Sequence, residues 1–272
     1  MATLHCTKNE SKMKTSLNRK KLKTQFQNRA IIFAGWTSIG HPQVTEMLLR
    51  SSVDWLGIDL EHSTISQEQS QRIIAACHAN KVSCLPRVAS HNPEAIKRLL
   101  DSGADGLIVP TVETVEQVKK IIEWTKYPPL GKRGYGVARA QGYGHDFEKY
   151  TNEWNKSSIL VIQIETINAV QHIEELINFG EVDGVMVGPY DLSGSLGVPG
   201  QINHELVKKA IENVIESCKK FGKSCGVHEV DPTAESVQAS FNAGSTFVVL
   251  ASDVFVLWKW GERMKKLISV SR

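Results

Sequence analysis

The feature of this sequence that most constrains its fold is a series of eight short apolar runs separated by longer amphipathic stretches. The runs cover residues 31–35, 55–59, 82–87, 106–109, 159–164, 184–187, 223–227 and 246–250. This alternation is typical of strands that pair in parallel and are joined by crossover helices. Eight parallel strands can close into a barrel, so the sequence predicts an α/β fold of the (βα)8 TIM-barrel type.

Helix signals between the runs support this prediction. The segment 42–50 has a proline in its first turn, the segment 92–101 begins with Asn92 and Pro93, and the segment 202–221 ends before Gly222. A doubly wound open sheet is the main alternative. No GxGxxG or GxxxxGK[ST] loop follows a predicted strand, which argues against a dinucleotide site or a P-loop nucleotide site.

The distribution of charge predicts the domain organisation. The chain has 272 residues, of which 41% are hydrophobic and 22% charged, and its net charge is only +3. Basic residues crowd the first thirty positions, where Glu10 is the one acid. We therefore expect residues 1–25 to form a basic, partly disordered extension and residues 26–272 to form a single barrel domain. A nucleic-acid-binding arm is the alternative, but no aromatic residue interleaves these charges before Phe26.

The absence of targeting signals in this sequence points to the cytoplasm. No run approaches the roughly 18 apolar residues of a membrane span, and the N-terminus lacks the apolar core of a secretory signal. We expect no membrane partner and no nucleic-acid partner, with an organelle transit peptide as the alternative for the basic segment. The five cysteines are scattered without a CxxC pair, which predicts reduced and mostly buried thiols.

One connection is too long for a simple barrel repeat. Residues 125–157 include YPPLGKRGYGVARAQGYGH, which is dense in glycine, proline, tyrosine and arginine. Long connections in barrels are usually functional or take part in assembly. We expect this one to be a lid or an element that serves a neighbouring subunit.

Two carboxylates stand at the ends of predicted strands. Glu165 follows the fifth run and Asp191 follows the sixth, 26 residues later, which is about one strand–helix–strand repeat. Both acids would then lie on one rim, where like charges held close cost energy unless a cation joins them. The alternative is that each acid caps the next helix, but Thr166 and Ser193 could do that equally well.

Other polar residues follow the same predicted strand ends. Such a set, with acids, one arginine and two histidines, suits a divalent cation and an anionic substrate. An arginine that points inward is costly unless it is paired, whereas the histidines could also be surface, capping or simply satisfied polar residues. The residues are Asp59, Glu61, His62, Arg87, Gln163 and His228.

Two absences narrow the chemistry. No predicted strand ends in a lysine, as a Schiff-base aldolase would need, since Lys223 begins its strand and should lie at the opposite face. The turns after the seventh and eighth strands read HEVDPTAES and ASDVF, without the glycines that favour a phosphate site. A phosphorylated substrate is therefore not favoured.

From about Met13 to the last helix, the chain resembles the HpcH/HpaI aldolases, which are class II pyruvate aldolases. The matching stretches are AGWTSIGHP, DWLGIDLEHS, PRV, LLDSGADGLIVPTVET, YPPLGKRGYG, VIQIET and DGVMVGPYDLSGSLG. The resemblance implies a (βα)8 barrel that assembles as a homo-oligomer, a hexamer built as a trimer of dimers, with the last helix packed on a neighbouring subunit.

The resemblance also implies roles for individual residues. Glu165 of VIQIET and Asp191 of GPYDLS would hold a divalent metal, Mg²⁺, Mn²⁺ or Co²⁺. Arg87 would bind the 2-oxo oxygen of the substrate. His62 would act as the acid/base group, and Asp101 would support a histidine across a subunit boundary.

Three further residues complete the set that the resemblance implies. Asp59 would assist catalysis from beside the site, and Gln163 would contact the substrate. Tyr190 would also contact the substrate, although it departs from the small alanine that many relatives have in GPADLS. This departure weakens any transfer of a relative's substrate to this chain.

The implied reaction is the reversible, metal-dependent cleavage of a 4-hydroxy-2-oxo acid to pyruvate and an aldehyde through a pyruvate enolate. Its partners are therefore small 2-oxo acids and aldehydes. Two alternatives stay open at this point. One is a CoA-ester lyase of the citryl or malyl type, and the other is a non-catalytic barrel that binds a metal.

Overall fold

The computed structural model describes residues 8–271, with side-chain positions from residue 17 onward, and its eight strands form a closed barrel. Every strand pairs in parallel with the next, and β8 returns to pair with β1. This confirms the predicted (βα)8 fold. The strands are β1 (Ile32–Thr37), β2 (Trp55–Asp59), β3 (Ser83–Arg87), β4 (Gly106–Val109), β5 (Ile159–Ile164), β6 (Gly184–Val187), β7 (Ser224–Glu229) and β8 (Phe247–Leu250).

Helices connect the strands on the outside of the barrel, and one further helix precedes the first strand and one follows the last. They are α1 (Lys8–Gln27), α2 (Pro42–Leu49), α3 (Gln67–Ala79), α4 (Pro93–Asp101), α5 (Val115–Thr125), α6 (Phe147–Ser157), α7 (Ile167–Gln171), α8 (Ile173–Ile177), α9 (Pro189–Ser195), α10 (Glu205–Lys220), α11 (Ala234–Asn242) and α12 (Asp253–Ser271). As predicted, Asn92 caps α4, and its side chain accepts hydrogen bonds from the backbone N–H groups of Glu94 and Ala95.

The barrel has two apolar layers because successive side chains of a strand point to opposite faces. The outer layer joins the sheet to the helices, and the inner layer fills the barrel. Trp36 reaches into the inner layer beside Gly57 of β2, where a Cβ atom would overlap the indole ring. The glycine therefore makes room for a large aromatic side chain beneath the C-terminal ends of the strands.

Helix α1 differs from the frayed extension that the charge pattern predicted. Leu22 and Phe26 are buried in the inner layer of the barrel. Arg19 is also buried and lies 3.7 Å from Asp105, and Lys23 forms an ion pair of 2.5 Å with Asp183. The part of residues 1–25 that the structure places is helical and packs partly under the barrel, and no packing boundary falls at residue 25, whereas the predicted division into an extension and a barrel domain stays a prediction. Residues 1–7 lie outside the described residues.

The long connection after α5 packs against the side of the barrel. It contains a 3₁₀ segment, Arg139–Gly144, followed by α6. Arg133 is buried within it, with its guanidinium 4.5 Å from the ring centre of Trp154 and 4.8 Å from that of Tyr127. Within a single chain this connection does not reach the C-terminal ends of the strands, so its expected part as a lid or assembly element would involve a neighbouring subunit.

Two further predictions concern thiols and membranes. Cys77, Cys84, Cys218 and Cys225 are buried free thiols, as the sequence predicted, and Cys6 lies outside the described residues. Among residues 8–271, no helix is long and apolar enough to span a bilayer.

Candidate active site

A cavity of about 320 Å³ opens at the C-terminal ends of the barrel strands, where active sites of this fold lie. It brings together most of the polar residues that the sequence singled out. Its wall also contains apolar side chains, chiefly on the side of β6 and α12. The residues of the wall that matter for the chemistry are Trp36, Asp59, His62, Arg87, Gln163, Met186, Tyr190, Asp191, His228, Val230, Val254 and Phe255.

The guanidinium of Arg87 is fixed by its neighbours. Asp59 Oδ1 accepts hydrogen bonds from Arg87 Nε at 3.2 Å and Nη2 at 2.8 Å. Arg87 Nη1 lies 3.1 Å from Glu61 Oε2 and donates a longer bond of 3.5 Å to Gln163 Oε1. The ring of Trp36 lies 5.1 Å from the guanidinium carbon. The inward-pointing arginine is therefore paired, as its burial requires.

Pairing with Arg87 lowers the pKa of Asp59. Burial opposes ionisation of Asp59, but the charge of Arg87 and its hydrogen bonds outweigh burial and hold the pKa of this carboxyl below its usual value. Asp59 Oδ1 also accepts hydrogen bonds of 3.1 Å from the backbone N–H groups of Glu61 and His62. One carboxylate thus orients both Arg87 and the turn that carries His62.

Glu61 is the residue of this rim to which the sequence assigned no role. Its Oε2 atom is buried without a hydrogen bond, although the Arg87 guanidinium is close enough for an ion pair. Burial raises the pKa of Glu61, and the charges of Asp59 and Asp191 raise it further, against the lowering effect of Arg87. The site therefore holds more negative charge than its arginine balances.

Glu165 lies beneath the cavity and is 5% exposed. Its Oε1 atom accepts a hydrogen bond of 2.6 Å from the backbone N–H of Thr111, and its Oε2 atom accepts one from the Gln163 amide. Burial raises the pKa of Glu165, and the nearby charges of Glu61 and Asp191 act in the same direction. Sequence reasoning placed Glu165 and Asp191 on one rim, and the structure brings them together there.

Thr111 was missed by sequence reasoning. Its backbone φ is +51°, in the left-handed region that a β-branched residue rarely adopts. This conformation aims the Thr111 N–H at Glu165, and strain of this kind persists only where the surrounding structure imposes it. Neither residue type nor spacing signals such a position, because valine, threonine and isoleucine ordinarily mark extended strands.

The donor set fits a divalent cation with few protein ligands. The charge of Asp191 raises the pKa values of Glu61 and Glu165, so these three carboxylates act on one region, and hard oxygen donors are what Mg²⁺ and Mn²⁺ prefer. In residues 8–271 no group of three or more His, Cys, Asp or Glu side chains has the geometry to enclose a metal. A cation bound here would have few protein ligands, and which carboxylates would hold it stays a prediction.

His62 is at the mouth of the cavity, and its side chain is 68% exposed. Its Nε2 atom lies 3.7 Å from Glu61 Oε2. Asp101 does not approach it in the same chain. Asp101 ends α4, where its Oδ1 atom pairs with Arg133 Nη2 at 3.0 Å.

His228 and Tyr190 form a further part of the cavity wall. His228 Nε2 is 2.8 Å from the carbonyl oxygen of Ala251, and its ring lies 5.2 Å from that of Trp36. Burial lowers the pKa of His228 to about 4, so the imidazole is neutral at pH 7. Tyr190 is the second residue of the short helix α9, immediately before Asp191, and it is 53% exposed.

The arrangement can bind a small anion and stabilise a negative charge that develops on one of its oxygens. Arg87 offers N–H donors into a partly enclosed cavity, carboxylates suited to a cation lie beside it, and an exposed histidine at the mouth can exchange protons. An arrangement of this kind can support the cleavage of a carbon–carbon bond next to a carbonyl group.

Comparisons with known proteins identify relatives of this chain. The family model for the HpcH/HpaI aldolase/citrate lyase matches residues 33–259. The hydroxypyruvate/pyruvate aldolase of Roseobacter denitrificans is 34% identical over 233 residues, which cover 85% of this chain and 90% of that protein. The 2-keto-3-deoxy-L-rhamnonate aldolase of Klebsiella pneumoniae subsp. pneumoniae is 36% identical over 225 residues, which cover 81% of this chain and 82% of that protein.

Solved structures with the same fold agree with these relatives. An HpcH/HpaI aldolase/citrate lyase family protein from Burkholderia cenocepacia J2315 superposes with a TM-score of 0.86 at 27% identity. The superposition covers 92% of this chain and 99% of that one.

Proposed function

The chain belongs to the HpcH/HpaI aldolase/citrate lyase family, and from this premise we propose that it catalyses the reversible aldol cleavage of a 4-hydroxy-2-oxo acid to pyruvate and an aldehyde. It is a carbon–carbon lyase, in keeping with relatives that are named as aldolases of pyruvate, hydroxypyruvate and 2-keto-3-deoxy sugar acids. The CoA-ester lyase that the sequence left open is not favoured.

One observation supports the proposal above the others. A continuous hydrogen-bonded chain runs from Asp59 through Arg87 and Gln163 to Glu165 along one side of the cavity. It fixes an oxyanion-binding arginine beside a carboxylate suited to a cation. A donor that is already oriented stabilises a developing charge without having to reorganise during the reaction.

Arg87 binds the keto oxygen of the 2-oxo acid in this proposal. As the C3–C4 bond breaks, its electron pair moves into the C2–C3 bond and negative charge grows on the C2 oxygen. The N–H groups of Arg87 donate to that oxygen where the charge develops. Asp59 acts through Arg87, since it holds the guanidinium in place, and Gln163 orients Arg87 and Glu165 together.

His62 moves the proton at C4. It accepts the proton of the C4 hydroxyl group, directly or through one water, as the hydroxyl carbon becomes the aldehyde carbonyl. A proton from solvent then adds to C3 to give the methyl group of pyruvate. One proton leaves and one arrives, so the cleavage needs no oxidant and no further reactant.

The proposal includes a divalent cation, and the family is in general dependent on such metals. Glu165 and Asp191 would hold it, and when bound it would polarise the 2-oxo group and offset the negative charge of the carboxylates. The choice among Mg²⁺, Mn²⁺ and Co²⁺ stays a prediction from the sequence.

A homo-oligomer, predicted as a hexamer, is also part of the proposal. Helix α12 leaves many large apolar side chains exposed on a single chain, among them Leu257, Trp258 and Ile268. Exposed apolar surface of this extent is typical of protein–protein contacts. A neighbouring subunit would cover His62 and bring Asp101 of its own chain towards it. The cytoplasmic location and the single catalytic domain likewise stay predictions.

The test is pyruvate release from a panel of 4-hydroxy-2-oxo acids, assayed with EDTA, with Mg²⁺ and with Mn²⁺. We expect the wild type to release pyruvate. EDTA should abolish this release and added metal should restore it, whereas the Glu165→Gln variant should release no pyruvate. If no acid releases pyruvate with any metal, the exchange of pyruvate methyl protons for deuterium is measured next. Absence of exchange as well would contradict the proposal and favour a CoA-ester lyase or a silent barrel, whereas exchange would indicate an aldolase whose substrate is not in the panel.

A further inference from the structure

The inference concerns the aldehyde and rests on the proposed function. Beside the reaction cavity of about 320 Å³ lies a second cavity of about 640 Å³, between α10, α11 and the first turns of α12. The two cavities share part of their walls. The shared residues are Pro189, Tyr190, His228 and Val230.

Tyr190 is the largest side chain of that shared wall. Its backbone is fixed, because Ser193 Oγ donates a hydrogen bond of 2.6 Å to the Tyr190 carbonyl oxygen and accepts one of 2.9 Å from the Gly200 N–H. In the part of the chain that the structure describes, its phenol hydroxyl makes no hydrogen bond. Tyr190 therefore lines both cavities from a fixed backbone, and its polar end is not tethered to another described residue.

The reaction cavity lies at the small end of the range for ligand sites, which is roughly 300–1,000 Å³. The 2-oxo acid must occupy the part near Arg87 and the carboxylates. What is left for the rest of the substrate is bounded by Tyr190, Val254 and Phe255. A short substituent fits this space, whereas a long one must pass Tyr190 to reach the second cavity.

The charge of the wall limits the aldehyde further. Within residues 8–271, Arg87 is the one lysine or arginine that lines the reaction cavity, and the 2-oxo acid uses it. His228 is sequestered between Trp36 and Phe255 with its Nε2 atom on the Ala251 carbonyl. A second carboxylate on the aldehyde would lie near Asp191, with no lysine or arginine of the cavity wall left to pair with it.

We infer that this chain takes short, uncharged aldehydes, and that Tyr190 is the specificity-determining residue that closes the passage from the reaction cavity to the second cavity. The inference names the acceptor class of the proposed aldolase. It differs from the reaction itself, because it concerns only which aldehyde is accepted.

The test is run in the direction of condensation, with pyruvate and four acceptors. Propanal and hexanal differ in length. Succinic semialdehyde and its methyl ester differ in charge, and because the ester is one carbon longer, length alone would favour the acid. We expect wild-type kcat/KM to be about ten-fold or more higher for propanal than for hexanal, and for the ester than for the acid. Equal use of hexanal and propanal, or of acid and ester, would overturn the inference.

Variants at position 190 identify the residue responsible. Tyr190→Ala should raise the hexanal-to-propanal ratio by about ten-fold, since each methylene admitted to an apolar space is worth that order of discrimination. Tyr190→Phe should keep the wild-type ratio, and Tyr190→Lys should raise the ratio of acid to ester. An unchanged ratio in Tyr190→Ala would show that Tyr190 does not divide the cavities.

A matched control is available in Tyr143, an exposed tyrosine that lines neither cavity. Tyr143→Ala should keep both ratios. Deuterium exchange into the methyl group of pyruvate by the wild-type enzyme distinguishes failure of the inference from failure of the proposed function. Exchange with no preference for short, uncharged acceptors contradicts the inference alone, whereas absence of exchange contradicts the proposed function on which it rests.

Discussion

Asp59 binds the guanidinium of Arg87 through a single carboxylate oxygen, which accepts hydrogen bonds from both Nε and Nη2. The same oxygen also accepts hydrogen bonds from the backbone N–H groups of Glu61 and His62. The donor that faces the developing oxyanion and the proposed base are thus positioned by one atom. A substitution that moves Arg87 should therefore also shift the turn that carries His62.

Replacing Arg87 with lysine should reduce kcat by about two to three orders of magnitude, as loss of one oxyanion donor does elsewhere. An ammonium group cannot form the planar fork that reaches Asp59 and substrate together. The measurement is steady-state pyruvate release, with Arg98→Lys on the exposed face of α4 as the control. Near-wild-type turnover in Arg87→Lys would refute the proposed role.

Replacing either proposed metal ligand should remove metal-dependent activity. Because only two protein carboxylates are proposed, Glu165→Gln and Asp191→Asn should each lower the affinity for Mn²⁺ by at least about ten-fold, which calorimetry measures independently of turnover. Glu116→Gln, on the exposed face of α5, is the control. If both ligand variants bind Mn²⁺ as the wild type does, the cation lies elsewhere.

Removing the imidazole of His62 should slow cleavage by about 10²–10⁴-fold, the usual contribution of a general base. The affinity for Mn²⁺ should stay unchanged, since His62 is proposed to move a proton and not to hold the metal. His172→Ala, an exposed histidine after α7, is the control. Loss of Mn²⁺ binding in His62→Ala would assign His62 to the metal instead.

The neutral state of His228 predicts a pH dependence of stability. Its pKa in the folded chain is about 4, below the ordinary value of 6.5, so between these values the unfolded chain binds a proton that the folded chain does not. The stability it contributes is complete above about pH 6.5 and is lost as the pH falls towards 4. From pH 7 to pH 5 the loss should be about 2 kcal/mol.

This dependence is measured as the free energy of unfolding at pH 7 and pH 5, at one protein concentration because assembly also stabilises the chain. Other groups titrate in the same range, so the informative quantity is the difference between wild type and His228→Gln. The variant should lose about 2 kcal/mol less than the wild type between these pH values. An equal loss in both proteins would mean that His228 is not buried in its neutral form.

Helix α1 should contribute measurably to stability. Phe26 is fully buried, and truncation of a buried phenylalanine costs about 3–5 kcal/mol. Phe26→Ala should therefore lower the midpoint of thermal unfolding far more than Leu17→Ala, which changes an exposed residue of the same helix. Similar midpoints for the two variants would show that α1 does not pack under the barrel.

The strands were the most predictable part of the fold. Buried parallel strands are nearly continuous apolar runs, and for β2, β4, β5 and β6 the predicted bounds coincide with the observed ones. β1 and β7 each run two residues further than predicted, β1 through Trp36 and Thr37 and β7 through His228 and Glu229. Pairing with neighbouring strands extends them, and that is not visible in a local pattern.

Other features could not be predicted because they depend on residues far apart in sequence. The charges of α1 pointed to a solvated segment, yet Arg19 faces Asp105 and Lys23 faces Asp183, more than 80 residues away. The strand ends indicated which polar residues share the rim, including Asp59 and Arg87. They did not indicate the left-handed turn at Thr111 or the second cavity behind Tyr190.

The ion pairs of α1 set a lower limit on the unit that can fold. Asp105 and Asp183 immediately precede β4 and β6, and both are almost completely buried. A shortened chain that begins after Lys23 removes one cation from each of these carboxylates, although His78 Nε2 still lies 3.0 Å from Asp105 Oδ2, and removal of one partner of a buried ion pair costs about 3–5 kcal/mol. We therefore expect the eight strand–helix repeats to fold stably only together with α1. A chimaera that takes the barrel of one relative should include α1 of the same relative.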